Sequence, residues 1–363
     1  VSPEELLEAL DVGAQVIREN FVGISLVGRR MPGGMIIDCD LTGADMSGAA
    51  LSDLQFIRCK LSGASFAGAS MTKVSLIECD APGLNLTGAT FDTTTAVKTP
   101  LTLSDWSDAA FEQVTLIQSD LTQTRFTGAK LSQVAFVECP LDGADFSKAD
   151  LNSVAVADTD LRGCMFQGTR FDKVLFVSTV LAGMNFAGSS LTNCNFQGAD
   201  LTKIDLSDAD LTFASFLQAK MAGAKLPRAK ATNTVFVDTL ATGVNFSGAD
   251  LRYAILQGSD ITGARFDGCL MEQAFLKRAK AQAATFRRAD LTTAVAAHAD
   301  LSGADFRGAS VYRLDLHSAA EDGALWDALA AQRYRTNYRL AMAETYDAVA
   351  IERQHRNRRN RQT

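Results

Sequence analysis

The sequence predicts an all-β solenoid: a chain that turns a corner every five residues and closes a square coil every twenty, with a short helix at each end. Three observations carry this. From Phe21 to Leu316 every fifth residue is apolar, 60 consecutive positions drawn only from Ala, Val, Ile, Leu, Met, Phe and Trp, in a chain that is 47% hydrophobic. The position two before each of these is nearly always Ala, Ser, Thr, Cys, Val or Gly, so two positions in five face inwards. A second period of 20 lies over the first: Cys39, Cys59, Cys79 and Cys139 share one phase, and Leu54, Val74, Val114, Val134, Val154 and Val174 another. A period of five suits neither a helix nor a strand alone. A repeat that fills most of the 363 residues also overrides the domain count that this length suggests.

The elements follow in order. Residues 1–20 do not keep the beat and read as an N-terminal helical cap, because Ser2, Pro3 and Glu5 form a capping-box start. Leu6, Leu7 and Leu10 give that helix an apolar face to lay over the open end of the core. Residues 21–320 are the repeat, about 15 coils. Of the 27 Gly, 24 fall two residues after a beat residue, where a corner needs a permissive backbone. Phe126, Phe146, Phe166, Phe186, Phe246, Phe266, Phe286 and Phe306 share one phase and should stack ring upon ring. Trp106 shares that phase. With Ala96 and Pro100 nearby and no Gly between Phe91 and Thr124, a locally distorted coil is expected there.

The pentads Ala149-Asp150-Leu151-Asn152-Ser153 and Ala199-Asp200-Leu201-Thr202-Lys203 follow an A(D/N)LXX pattern, and in this the chain resembles the pentapeptide-repeat proteins over about 80% of its length. The resemblance implies a right-handed quadrilateral parallel β-helix. Fifteen such coils at ~4.8 Å make a rod of roughly 70 Å. It also implies alternatives for function. Some members mimic DNA and inhibit or protect type II topoisomerases, which would make gyrase a partner. A looser likeness, in layout only, is to arrays encoded with type VI secretion systems; a first residue of Val1 suits such a module carried after an upstream domain.

Past Leu316 the beat stops. Ser318 and Glu321 form a second capping-box pattern, and residues 321–352 read as a C-terminal helix whose Trp326, Tyr334, Tyr338, Met342 and Tyr346 are candidate cap or homodimer contacts. Residues 353–363 carry five Arg and read as a basic disordered tail.

Composition narrows function further. The net charge of −7 and pI near 5.1 argue against a nucleic-acid binder. The segment from Gly323 is +4, which leaves −11 for the rest. B-DNA of ~70 Å carries about 40 charges, so the match to a duplex is poor. No apolar run approaches a membrane span and no signal peptide is visible, so the expected location is cytoplasmic, with signal-independent secretion as the alternative. The seven Cys obey the repeat, not a metal or disulfide spacing. Only three His occur, none at ligand or triad spacing, and no loop interrupts the beat to build a cleft. The expectation is therefore a protein with no catalytic residues, no cofactor and no metal.

One surface feature stands out. The outward position just after the beat, taken every twenty residues, reads Ile37, Ile57, Ile77, Val97, Ile117, Val137, Ala157 and Val177, then Leu217 and Val237 after Gln197. Equivalent positions on other sides are Thr42, Ser62, Thr122 and Arg162. A stripe of ~400 Å² is at the upper range for an unused monomer surface. It points to a non-catalytic scaffold or protein-binding module, with a protein partner or a second copy as occupant.

Overall fold

A computed structural model describes residues 2–327. Helix α1 spans Pro3–Asp11 and has the capping box expected of it: the Ser2 hydroxyl accepts from the Glu5 N–H at 3.2 Å, and the Glu5 carboxylate accepts from the Ser2 N–H at 2.7 Å. Its Leu6 and Leu10 are buried against the first coils. Coil pairing begins within the stretch read as cap, because Gln15–Ile17 already pairs in parallel with Gly34–Ile37 and Val16 is buried.

From there the chain is a parallel β-solenoid. One side of the coil is a nine-stranded sheet running from Gln15–Ile17 to Leu175–Val177, and another is an eight-stranded sheet from Arg30–Met31 to Arg170–Asp172. Every strand meets the strand twenty residues on, as in Phe136↔Val156 and Val156↔Phe176. The remaining two sides are joined by single parallel bridges such as Asp40↔Lys60 and Asp45↔Ser65. Beyond Val177 all four sides continue as single bridges at the same offset, as far as Asp305↔Leu325. The backbone is satisfied between coils: the Phe126 N–H donates to the Asp145 carbonyl at 2.7 Å, and the Asp145 N–H to the Thr124 carbonyl at 2.9 Å.

With the exception of Gly163, the corner two residues past the beat has positive φ whether or not it is Gly, for example +59° at Leu103 and +60° at Phe213. Inter-coil pairing therefore imposes the corner, against a cost of roughly 1–2 kcal/mol for an ordinary side chain. The glycine-free stretch shows the same. Its ladder is intact, with the Trp106 N–H donating to the Arg125 carbonyl at 2.8 Å. What distortion there is lies in the rings: Trp106 is tilted 32° from Phe91 and 30° from Phe126, its buried Nε1 has no partner, and a cavity of about 20 Å³ lies beside Ala96 and Leu116.

The aromatic stack forms, with Phe246, Phe266, Phe286 and Phe306 at 4.8–4.9 Å and interplanar angles of 3–9°. Trp326 continues it at 4.0 Å on Phe306. Thus the solenoid pairing passes Leu316 and holds to the end of the described residues. A second stack, Phe176, Phe196, Phe216 and Phe236, occupies the inner surface of the nine-stranded side at 4.9–5.1 Å. The seven cysteines are buried and unbridged. Several thiols donate to a carbonyl of the preceding coil, as Cys59 does to Ile36 at 3.2 Å. Burial pushes the Cys164, Cys194 and Cys269 thiols up to about 12, so they stay protonated.

Near the C-terminal end Asp305 is buried to 5% exposure, and its carboxylate accepts from Arg307 (Nε 2.9 Å, Nη2 2.7 Å), Arg287 (Nε 2.6 Å) and the Arg307 N–H at 3.1 Å. The Arg307 guanidinium, chiefly, holds this carboxyl well below the usual range. The unfolded chain takes up a proton near pH 4 that the native carboxyl refuses, so this contribution is present at neutral pH and lost as pH falls through and below that value. Asp305→Asn should lower stability at pH 7 by about 1–2 kcal/mol and flatten its fall between pH 5 and 3, read by denaturant titration across pH.

Candidate interaction face

The outward stripe forms on the nine-stranded sheet. Ile37, Ile57, Ile77, Val97, Ile117, Val137, Ala157 and Val177 are direct in-register partners, each paired with the next coil. Most are half-buried by their neighbours in the ladder, and Val137 is exposed. Leu217 and Val237 keep the same phase but stand beyond the exposed Gln197.

The structure adds residues that the stripe alone did not name. Ile17 extends the ladder by one strand and is 45% exposed. Towards the C-terminus the apolar character crosses to the other outward column of the same side, through Leu175, Val235, Ile255, Phe275 and Val295. The signal was present in the sequence, at the position just before the beat in the same phase of twenty.

The face has charged and amide-bearing edges. At one corner Arg58 clasps Asp38 through Nε at 2.7 Å and Nη2 at 3.1 Å, and Gln118 donates to Glu138 at 2.7 Å. The Arg58 guanidinium lowers the Asp38 pKa.

The repeat aspartates have a different role. Most turn their Oδ1 back to the N–H two residues on, as Asp45 does to Ser47 at 3.0 Å and Asp200 to Thr202 at 3.0 Å, which closes the corner. Several are also paired: Arg162 with Asp160 at 2.6 Å, Lys230 with Asp210 at 3.8 Å and Arg252 with Asp250 at 2.6 Å. The acidic columns are thus corner supports with counter-ions, not a bare row of charge.

The eight-stranded side carries two open depressions of about 600 and 690 Å³ that meet at Asp150 and Asn152. Their lining is mainly Ser, Thr and mixed charge. His298 and His317, one coil apart, bring their rings to 5.4 Å edge-on. Among the described residues no group of three or more His, Cys, Asp or Glu could hold a metal ion, and no helix is long and apolar enough to cross a membrane. Of the C-terminal candidates, Trp326 lies in the aromatic stack; Tyr334, Tyr338, Met342 and Tyr346 lie outside the described residues.

Comparison with known families agrees with this geometry. A pentapeptide repeat region matches residues 49–126 and 97–166, and eight-copy pentapeptide repeats match overlapping segments from 174–208 to 286–319. The chain belongs to the pentapeptide repeat family. Solved structures similar to this pentapeptide repeat protein include HetL, which is involved in heterocyst differentiation regulation in the cyanobacterium Nostoc sp. strain PCC 7120. It is 24% identical, over 67% of this chain and 87% of that one, with a TM-score of 0.21. A trypsin-treated form of QnrB1, a plasmid-mediated fluoroquinolone resistance protein, is 20% identical over 44% and 91%, with a TM-score of 0.24. A thylakoid-lumen member from Arabidopsis thaliana is 24% identical over 33% and 69%, with a TM-score of 0.20. No curated protein matches the chain.

Proposed function

We propose that this pentapeptide repeat protein is a non-catalytic, rod-like scaffold whose nine-stranded side is a protein-docking face. In this reading the solenoid is a right-handed quadrilateral β-helix of about 15 coils, roughly 70 Å long at ~4.8 Å per coil. The observation that carries the proposal is the straight ladder from Ile17 to Val177, a continuous outward apolar column on a rigid support. Scattered exposed apolar residues need no explanation, whereas a contiguous strip on a flat sheet does. β-Branched residues also suit strands. That preference alone would put them equally at Ser52, Glu112 and Ser132 of the eight-stranded sheet, where they do not occur.

A DNA-mimic role towards gyrase is less favoured, because the ion-paired aspartates blunt the acidic columns that mimicry requires. A photo-crosslinking amino acid placed at Ile77 or Ile117 tests the docking reading in the cell. Crosslinked products are expected from these positions and not from Thr87 or Thr102 on other sides. Equal yields from all four, or none from Ile77 and Ile117, would refute it.

A further inference from the structure

We propose that the occupant of the nine-stranded side is a second copy of this chain, the two rods lying face to face with parallel axes related by a two-fold along the rod. This rests on reading that side as a docking face. Such a two-fold places each outward column of one copy over the other outward column of its partner, at the same coil. In the middle of the face the two columns differ in size: Ser75 precedes Ile77 and Thr95 precedes Val97. The Ile/Val ridge of one copy therefore meets the small hydroxyl column of the other, ridge into groove.

The same operation brings together the two corner residues that flank each strand. Strand Leu54–Ile57 lies between Asp53 and Arg58, and strand Ser75–Ile77 between Lys73 and Glu78. Both pairs are opposite in charge, and each is made twice by the symmetry. None of the strands and bridges of this side, from Gln15 to Asp315, is flanked by like charges among the described residues. An antiparallel arrangement would instead set ridge on ridge and each corner column against itself.

Area favours a partner as long as the rod. A face ~12 Å wide over about sixteen coils at ~4.8 Å offers roughly 900 Å² per copy, close to the ~800 Å² per partner of a stable interface. The strands up to Val177 alone offer only about 500 Å². A second copy has both the length and the coil spacing to use the whole side, including Val235, Ile255, Phe275 and Val295.

Sedimentation of the full chain tests this with a charge swap. Wild type should be dimeric at micromolar concentration. Lys73→Glu and Glu78→Lys should each weaken association about tenfold or more, and the double variant Lys73→Glu/Glu78→Lys should recover it. Both positions are exposed corners, so melting temperatures should stay unchanged and separate association from folding. A monomeric wild type, a dimer indifferent to the single changes, or a double variant weaker than either single would overturn the proposal. If the wild type is monomeric while Ile77 crosslinks to a different chain, the docking reading stands and only the second copy is lost.

Discussion

Phe266→Ala should lower the unfolding free energy by about 3–5 kcal/mol, measured by denaturant titration. Phe266 is fully buried and sits between Phe246 and Phe286 at 4.9 Å on either side, with interplanar angles of 9° and 4°. Truncation removes the transfer energy of the ring and two stacking contacts worth roughly 0.5–1.5 kcal/mol each. Coils above and below hold their spacing through backbone bonds, so the site cannot collapse to fill the hole. A loss below about 1 kcal/mol would mean that the core is more plastic than the ladder implies.

Gly34→Ala should undo the N-terminal cap, at a cost of about 2–3 kcal/mol from clash and backbone strain together. Its φ is +110°, and an added Cβ would lie 2.9 Å from Leu10 Cδ2 and 3.3 Å from the Ala14 carbonyl oxygen. Neither neighbour can yield easily, since Leu10 is itself 2% exposed within the core. With α1 displaced, the first coil becomes an open edge ready to pair with other chains. Reduced melting temperature and concentration-dependent aggregation should appear together. Gly43→Ala, which meets nothing within 4 Å at φ +64°, should cost only about 1 kcal/mol and leave the cap in place.

The architecture was legible in the sequence because one geometric rule generates it. A coil of four equal sides forces the same residue class inward every five positions, so Phe21, Leu26 and Met31 announce the core by themselves. The ends were less legible. Val16 and Trp326 already belong to the stacked core, but Glu19, two before Phe21, and Glu321, on the beat itself, blur the pattern on either side. The corner near Trp106 misled for a physical reason: pairing between coils pays the cost of positive φ at Leu103 and Asp108 without Gly. On the candidate face the Ile/Val column was readable by stepping in twenties. Its continuation through Ile255 and Phe275 was hidden by the change of column, which matters only once both columns are known to share one side.

Sedimentation of Ile77→Glu beside wild type, over a range of concentrations, is the most direct measurement of whether this face is an interface. The substituted side chain is outward and half-buried, between Ile57 and Val97. The expected result is an unchanged melting profile with association lost, because a carboxylate is set into an otherwise apolar column. A folded Ile77→Glu chain that associates as strongly as a dimeric wild type would contradict the assignment of this face.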